Sequence, residues 1–155
     1  MTAGRVAAEP LGPLLARLER AQWALLALGI PRCPACDLLP ATLAALAESR
    51  PGLAVGISLF ARPEDWAQRE ELLWPRGIRV SRSSVPALVV LRQGAVLATR
   101  QGGAPAHLLD AWLTGLMGPP ERPLPPGPTE GERALLEASA GRRLQHLRLR
   151  ERSER

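Results

Sequence analysis

The residues with the most chemistry to offer are Cys33 and Cys36, the only cysteines in the chain, set three apart in "GIPRCPACDLLP". Two thiols one helical turn apart could exchange disulfides. They could also supply two of the four ligands a structural zinc wants, or be two small buried hydrophobes that happen to be close. The spacing alone leaves all three readings open. Metal is the weakest of them, because His107 and His146 have no ligand-like spacing, so no metal site and no cofactor is expected.

The elements that would hold these thiols can be read from the hydrophobic pattern. Residues 1–10 carry no such pattern and are expected to be disordered. Leu11, Leu14, Leu15 and Leu18 then share one helical face, with Pro13 in the first turn, where its missing N–H costs nothing. "WALLAL", Trp23 to Leu28, is a short continuous apolar run, as in a strand buried on both faces, and "GIPR" would connect it to the cysteines. From Pro34 to about Ser49 the period is helical again, and Pro40 should kink this helix just after the cysteines.

"LAVGISLF" gives a second strand and "PEDWAQREELLW" a helix; "GIRVSRSS" is extended or loop-like. "VPALVVL", a turn at Gly94 and "AVLATR" form a hairpin signal, and a last helix carries Leu108, Leu109, Trp112, Leu113 and Leu116 on its buried side. Trp23, Trp66 and Trp112 are expected in the core and Trp74 half-exposed. The order α-β-α-β-α-β-β-α predicts an α/β fold, a mixed central sheet with helices on both faces. The domain would span residues 11–118. A Pro-rich linker, 119–129, would follow, then a basic tail, 130–155, as a marginal helix or disordered segment.

Composition bounds the function. The chain has 155 residues and a net charge of +5, and all its basic residues are arginine. With Ala, Gly and Pro abundant, that balance looks compositional and supports only weak attraction to anionic surfaces. The tail's Arg142, Arg143, Arg148, Arg150, Arg152 and Arg155 are interleaved with glutamates and lack aromatic neighbours, which disfavours nucleic acid as a partner. No apolar run approaches the ~20 residues of a membrane span, so no membrane partner is expected and the default location is cytoplasmic. There a close cysteine pair is more often reactive than structural.

A C-P-x-C at the end of the first buried strand, followed by Val-Pro opening a hairpin, resembles the thioredoxin superfamily. The resemblance covers Leu11 to Leu116 and is most specific in "SVPALVVLRQGAVLATRQGGAPAHLLDAWL". It implies a thioredoxin-like fold with Cys33 and Cys36 as the catalytic pair. It further implies a cis Val85-Pro86 peptide beside them and Gly102 as the glycine that lets a substrate backbone approach. Arg32, Pro34, Val85, Pro86 and Gly102 would then line the substrate site.

The resemblance has departures. Arg32 stands where thioredoxins proper carry Trp, and Ala27 where they carry a buried acid that moves protons to the second cysteine. Pro40 falls one residue early, and the stretch before Val85 is longer than usual. Glutathione binding does not carry over.

On this reading Cys33, at a helix start, has free N–H groups and a positive dipole end aimed at its sulfur, which favours the thiolate. Arg32 would add to that if its side chain turned toward the sulfur. Cys36, one turn on, would resolve the mixed disulfide. The implied function is thiol–disulfide oxidoreduction on a protein disulfide or small-thiol substrate, fed by a thiol reductase or thiol pool. The alternatives are a non-enzymatic thioredoxin-like binding module and a redox sensor. Arg79 and Arg82 are candidates for the groove, although solvated loop arginines are the simpler reading. His107 is expected on the surface or end of the last helix.

Overall fold

The computed structural model describes residues 4–154, apart from the side chains of Arg143 and His146. Helix α1, Leu11–Glu19, buries Leu11, Leu14, Leu15 and Leu18 along one face, as their spacing requires. Four strands follow: β1, Trp23–Gly29; β2, Leu53–Leu59; β3, Ala87–Arg92; and β4, Ala95–Gln101. They form one mixed sheet in the order β2-β1-β3-β4. β1 pairs parallel with β2 and antiparallel with β3, so Ala27 lies between Ile57 and Leu88. β4 is the solvated edge, alternating exposed and half-buried residues.

Alternation along β1 and β3 sends side chains to two cores. Ala24, Leu26, Leu28, Val89 and Leu91 pack with α1. Leu25, Ala27, Leu88 and Val90 pack with Leu39, Leu43 and Leu46 of helix α3, Leu39–Ser49, and with Leu109 and Leu113 of helix α5, Ala106–Met117. The expected element order is present, and the chain is a mixed four-stranded sheet with helices on both faces. Arg50, 4% exposed at the end of α3, fastens the two helices together. Its guanidinium donates to Asp110 Oδ1 at 2.9 Å, Thr114 Oγ1 at 2.9 Å and the Gly118 carbonyl at 2.8 Å.

Pro40 acts on the helix as expected. A short α2, Pro34–Asp37, stops before Leu38, and α3 starts anew with Pro40 in its first turn. The "PEDWAQREELLW" helix departs from the simple expectation. It begins as α4, Pro63–Gln68, widens into a π-helix over Arg69–Leu73 and tightens to a 3₁₀ turn over Trp74–Arg76. The Trp74 N–H reaches back to the Arg69 carbonyl, five residues away, and Pro75 has no N–H with which to continue a regular ladder.

Other expectations change. Leu108, expected on the buried side of the last helix, is 53% exposed, because the core is met by the face that carries Leu109 and Leu113. Trp23, Trp66 and Trp112 pack against the cores but only half-buried, at their rims, where an arginine lies near each ring: Arg92, Arg69 and Arg100 respectively. Trp74 is 37% exposed, as expected. Of the N-terminal stretch expected to be disordered, residues 1–3 lie outside the described residues. Residues 4–10 run beside the sheet, where the Val6 N–H donates to the Pro40 carbonyl and the Glu9 N–H to the Ile57 carbonyl.

Beyond the proline-rich stretch, the basic segment forms one helix, α6, Glu130–Ser153. Its start is fixed by a capping box: Thr129 Oγ1 accepts from the Glu132 N–H, and the Glu132 carboxylate accepts from the Thr129 N–H. Arg155 lies outside the described residues. No helix among the described residues is long and apolar enough to cross a membrane.

Candidate active site

Cys33 and Cys36 are joined as a disulfide, with Cα atoms 5.1 Å apart. The local fold places them asymmetrically. β1 delivers the chain to Gly29, and the backbone turns through Arg32 in the left-handed region (φ 60°). Cys33 is the N-cap of α2, half-buried at the surface, while Cys36 inside the turn is 5% exposed. The Cys36 N–H donates to Cys33 Sγ at 3.2 Å, so a free helix-start N–H points at the outer sulfur. Pro34 occupies the first helical position, where no N–H is needed.

Beneath the pair the surroundings are apolar. Cys36 belongs to the core with Ala27, Leu39, Leu43 and Leu88. Ala27 is fully buried and supplies no proton-carrying group. Gly29 is present for room: a Cβ there would stand 3.0 Å from Cys36 Sγ and 3.2 Å from Cys36 Cβ. Neither the composition nor the period pointed to Gly29.

Val85-Pro86 is a cis peptide at the start of β3. Gly102, at φ 85°, donates its N–H to the Pro86 carbonyl at 2.8 Å. The next glycine makes the closer approach: a Cβ on Gly103 would lie 3.2 Å from Pro86 Cγ and 3.3 Å from the Ala35 carbonyl oxygen. The Pro86 loop and the cysteine helix therefore meet across Gly103, and Gly102 faces open space. Val85 is half-buried between the two cores.

Arg32 is exposed, and its side chain lines a groove of about 470 Å³ together with Phe60, Trp66 and Arg82. Arg79 lies in a neighbouring groove. His107 sits half-buried on α5, its Nδ1 buried without a hydrogen-bond partner, and apart from these features. The side chain of His146 lies outside the described residues. Among the described residues no group of three or more His, Cys, Asp or Glu side chains converges as metal ligands would.

Helix α6 reaches the same end of the molecule, where Arg142 pairs with Asp37, the residue after Cys36, at 3.2 Å. Glu132 is the one fully buried acid among the described residues. Its carboxylate accepts from Thr42 Oγ1 of α3 at 2.7 Å and from the Ala106 N–H at the start of α5 at 2.9 Å. The T-x-x-E pattern at Thr129 and Glu132 is the sequence signal for this helix start.

No protein-family model matches the chain, and no curated protein does. Solved structures do. Thioredoxin f2 from Chlamydomonas reinhardtii superposes with TM-score 0.55 at 16% identity, covering 74% of this chain and 98% of that one. The reduced desulfothioredoxin of Desulfovibrio vulgaris Hildenborough gives TM-score 0.53 at 25% identity, covering 74% and 99%. Oxidised thioredoxin O2 from Arabidopsis thaliana gives 0.53 at 13%, covering 75% and 95%. The chain thus has the thioredoxin-like fold, with a C-P-A-C pair able to form a disulfide, and together these support a thiol redox role.

Proposed function

We propose that this chain is a thiol–disulfide oxidoreductase in which Cys33 attacks and Cys36 resolves. The observation that carries the proposal is the asymmetry of the pair: a half-exposed Cys33 capping a helix, bonded to a Cys36 sunk in an apolar core. A solvent-reachable thiolate stabilised by helix N–H groups is a nucleophile, and a buried neighbour one turn away can reach only that nucleophile's sulfur.

In the reducing direction, the Cys33 thiolate attacks one sulfur of a substrate disulfide. The Cys33–substrate bond forms as the substrate S–S bond breaks, and the departing thiolate carries off the electron pair and takes a proton from water. The Cys36 thiolate then attacks Cys33 Sγ and closes the internal disulfide, releasing the second substrate thiolate. Two electrons have passed to the substrate, and a thiol reductase or thiol pool restores the dithiol. Pro86, Val85, Gly102, Pro34 and Arg32 would border the incoming substrate. The apolar floor at Ala27 leaves Cys36 to lose its proton without a buried base, so resolution should be the slow step.

Insulin reduction and mixed-disulfide trapping test this. Wild type should outpace Cys33→Ser, and Cys36→Ser should hold a substrate on Cys33. No difference in rate together with no trapped species would refute the proposal.

A second reading, a redox-responsive binding module, draws support from the Arg142–Asp37 pair, which ties α6 to the cysteine helix. It requires a partner bound equally well by Cys33→Ser and wild type in the reduced state, without turnover.

A further inference from the structure

Beside the cysteines, a row of alternating cations and indoles occupies the surface. The Arg79 guanidinium lies 4.8 Å from the Trp74 ring, Arg69 lies 5.4 Å from Trp74 and 5.3 Å from Trp66, and Arg82 lies 5.4 Å from Trp66. The row borders both grooves. The one that includes Arg32 also holds Trp66 and Arg82. The other, about 370 Å³, is lined by Arg69, Trp74, Arg79 and the hydroxyl-bearing Ser81, Ser83 and Ser84. Neither groove has a carboxylate in its lining.

An indole beside a guanidinium steadies it without neutralising its charge, and a guanidinium so placed can still donate to a carboxylate, bidentately where its N–H groups are free. Among the described residues no acid pairs with Arg32, Arg79 or Arg82. Arg69 is partly committed, with Glu70 at 3.7 Å and a bond to the Val80 carbonyl, and its Nε is buried without a partner. The three exposed cations on this path, Arg32, Arg79 and Arg82, are not explained by the fold, since they sit on the turn and loop rather than in either core.

We infer that this row selects an acidic polypeptide segment: the natural substrate presents its disulfide to Cys33 with a run of Asp or Glu lying along Arg32, Arg82, Arg69 and Arg79. The inference rests on the redox reading for the word substrate, while the peptide-binding property stands on the grooves alone. Charge steering of this kind acts mainly on encounter and weakens with salt.

The test uses the full chain in its oxidised form and two cysteine-free peptides, one with six consecutive Glu and one with six Gln. Binding is followed by the fluorescence of the tryptophans. The Glu peptide should bind about tenfold more tightly at low ionic strength, a preference that shrinks as salt rises beyond ~0.1 M. The double variant Arg79→Gln/Arg82→Gln should lose most of it. Equal affinity for the two peptides, a preference indifferent to salt, or full preference in the double variant would each overturn the inference.

The salt series on wild type needs no variant to fold. Disulfide-bearing versions of the same peptides, mixed with protein first reduced to the Cys33/Cys36 dithiol by a small thiol and freed of it, separate the two claims. Selective binding without reduction of either peptide sinks the redox reading and sustains the groove. Reduction of both at equal rates, with equal affinity, does the reverse.

Discussion

The Glu132 carboxylate meets the Thr42 hydroxyl at 2.7 Å, joining two residues 90 apart in sequence at a fully buried point. The same carboxylate caps α5 through the Ala106 N–H and its own helix through the Thr129 N–H, so one side chain satisfies donors from three segments. Glu132→Ala would leave those donors buried and unpaired. It should destabilise the chain by about 2–4 kcal/mol, read from the urea midpoint. Glu132→Gln, which keeps an acceptor, should lose less. An unchanged midpoint in Glu132→Ala would mean that α6 is not bound as described.

Asp65 gives the chain a pH-dependent element. Its carboxylate accepts from the Arg62 and Ala61 N–H groups, each at 2.9 Å. The Arg62 backbone hydrogen bond, with help from the Ala61 bond and the Arg62 charge, holds it below the ordinary aspartate value of 3.8 against the opposing effect of burial. A carboxyl depressed in the folded state stabilises fully above its unfolded value. That contribution is lost as pH falls from about 4 through the lower folded value. Asp65→Ala should cost about 1 kcal/mol at pH 7. Its deficit should narrow as pH falls from about 4 through that lower folded value, because wild type then protonates the carboxylate that the variant already lacks. A deficit constant with pH would contradict the assignment.

What the sequence disclosed was local or periodic. The leucines of α1, the apolar run of β1, Pro40 dividing α2 from α3, and Cys33 at a helix start all follow from spacing and backbone chemistry. The parts that escaped depend on distant partners. Nothing around Arg50 announces that Asp110, 60 residues on, will receive it. Nothing in "LLWPRG" says that Trp74 will lie under Arg79 while Arg69 bridges to Trp66. The stability of α6 was hidden for a related reason: its polar composition offers no apolar stripe, and its anchor is a buried carboxylate.

Arg50 shows how much one such partner matters. It is 4% exposed against 18% for Asp110, so Arg50→Met strands a mostly buried carboxylate. The expected loss is about 3 kcal/mol in urea unfolding. Adding Asp110→Leu should recover most of it, because an apolar pair can replace a buried ion pair at little cost. If the double variant is no more stable than Arg50→Met, the bonds to Thr114 and Gly118 carry the effect instead.

Gly29→Ala probes the floor of the disulfide directly. The new methyl would press on Cys36 Sγ at 3.0 Å and on Leu59 Cδ2 at 3.3 Å, so Cys36 must shift. Overpacking of this kind should cost about 1–3 kcal/mol. Because the displaced atom is the resolving sulfur, closure of the Cys33–Cys36 bond should also slow, measured as release of a trapped mixed disulfide after mixing. Equal release rates in Gly29→Ala and wild type would show that the two residues are not packed this closely in solution.

Ala27→Asp should exchange stability for speed. Ala27 is fully buried between Ile57 and Leu88 and shares a core with Cys36, so a carboxyl there has no water and no partner. Burial pushes its pKa upward, above the unfolded value. The sign of the stability change follows: the variant should lose about 3 kcal/mol or more at pH 7 and regain part of it as pH falls, since the protonated form is the one the core tolerates. The ionised fraction would act as a base near the Cys36 thiol, and resolution of a Cys33-linked substrate should quicken by about tenfold or more at neutral pH. Single-turnover release of a chromogenic thiol from that mixed disulfide measures it. A destabilised variant with unchanged release would show that proton removal from Cys36 does not limit resolution, and that the apolar floor is no brake on exchange.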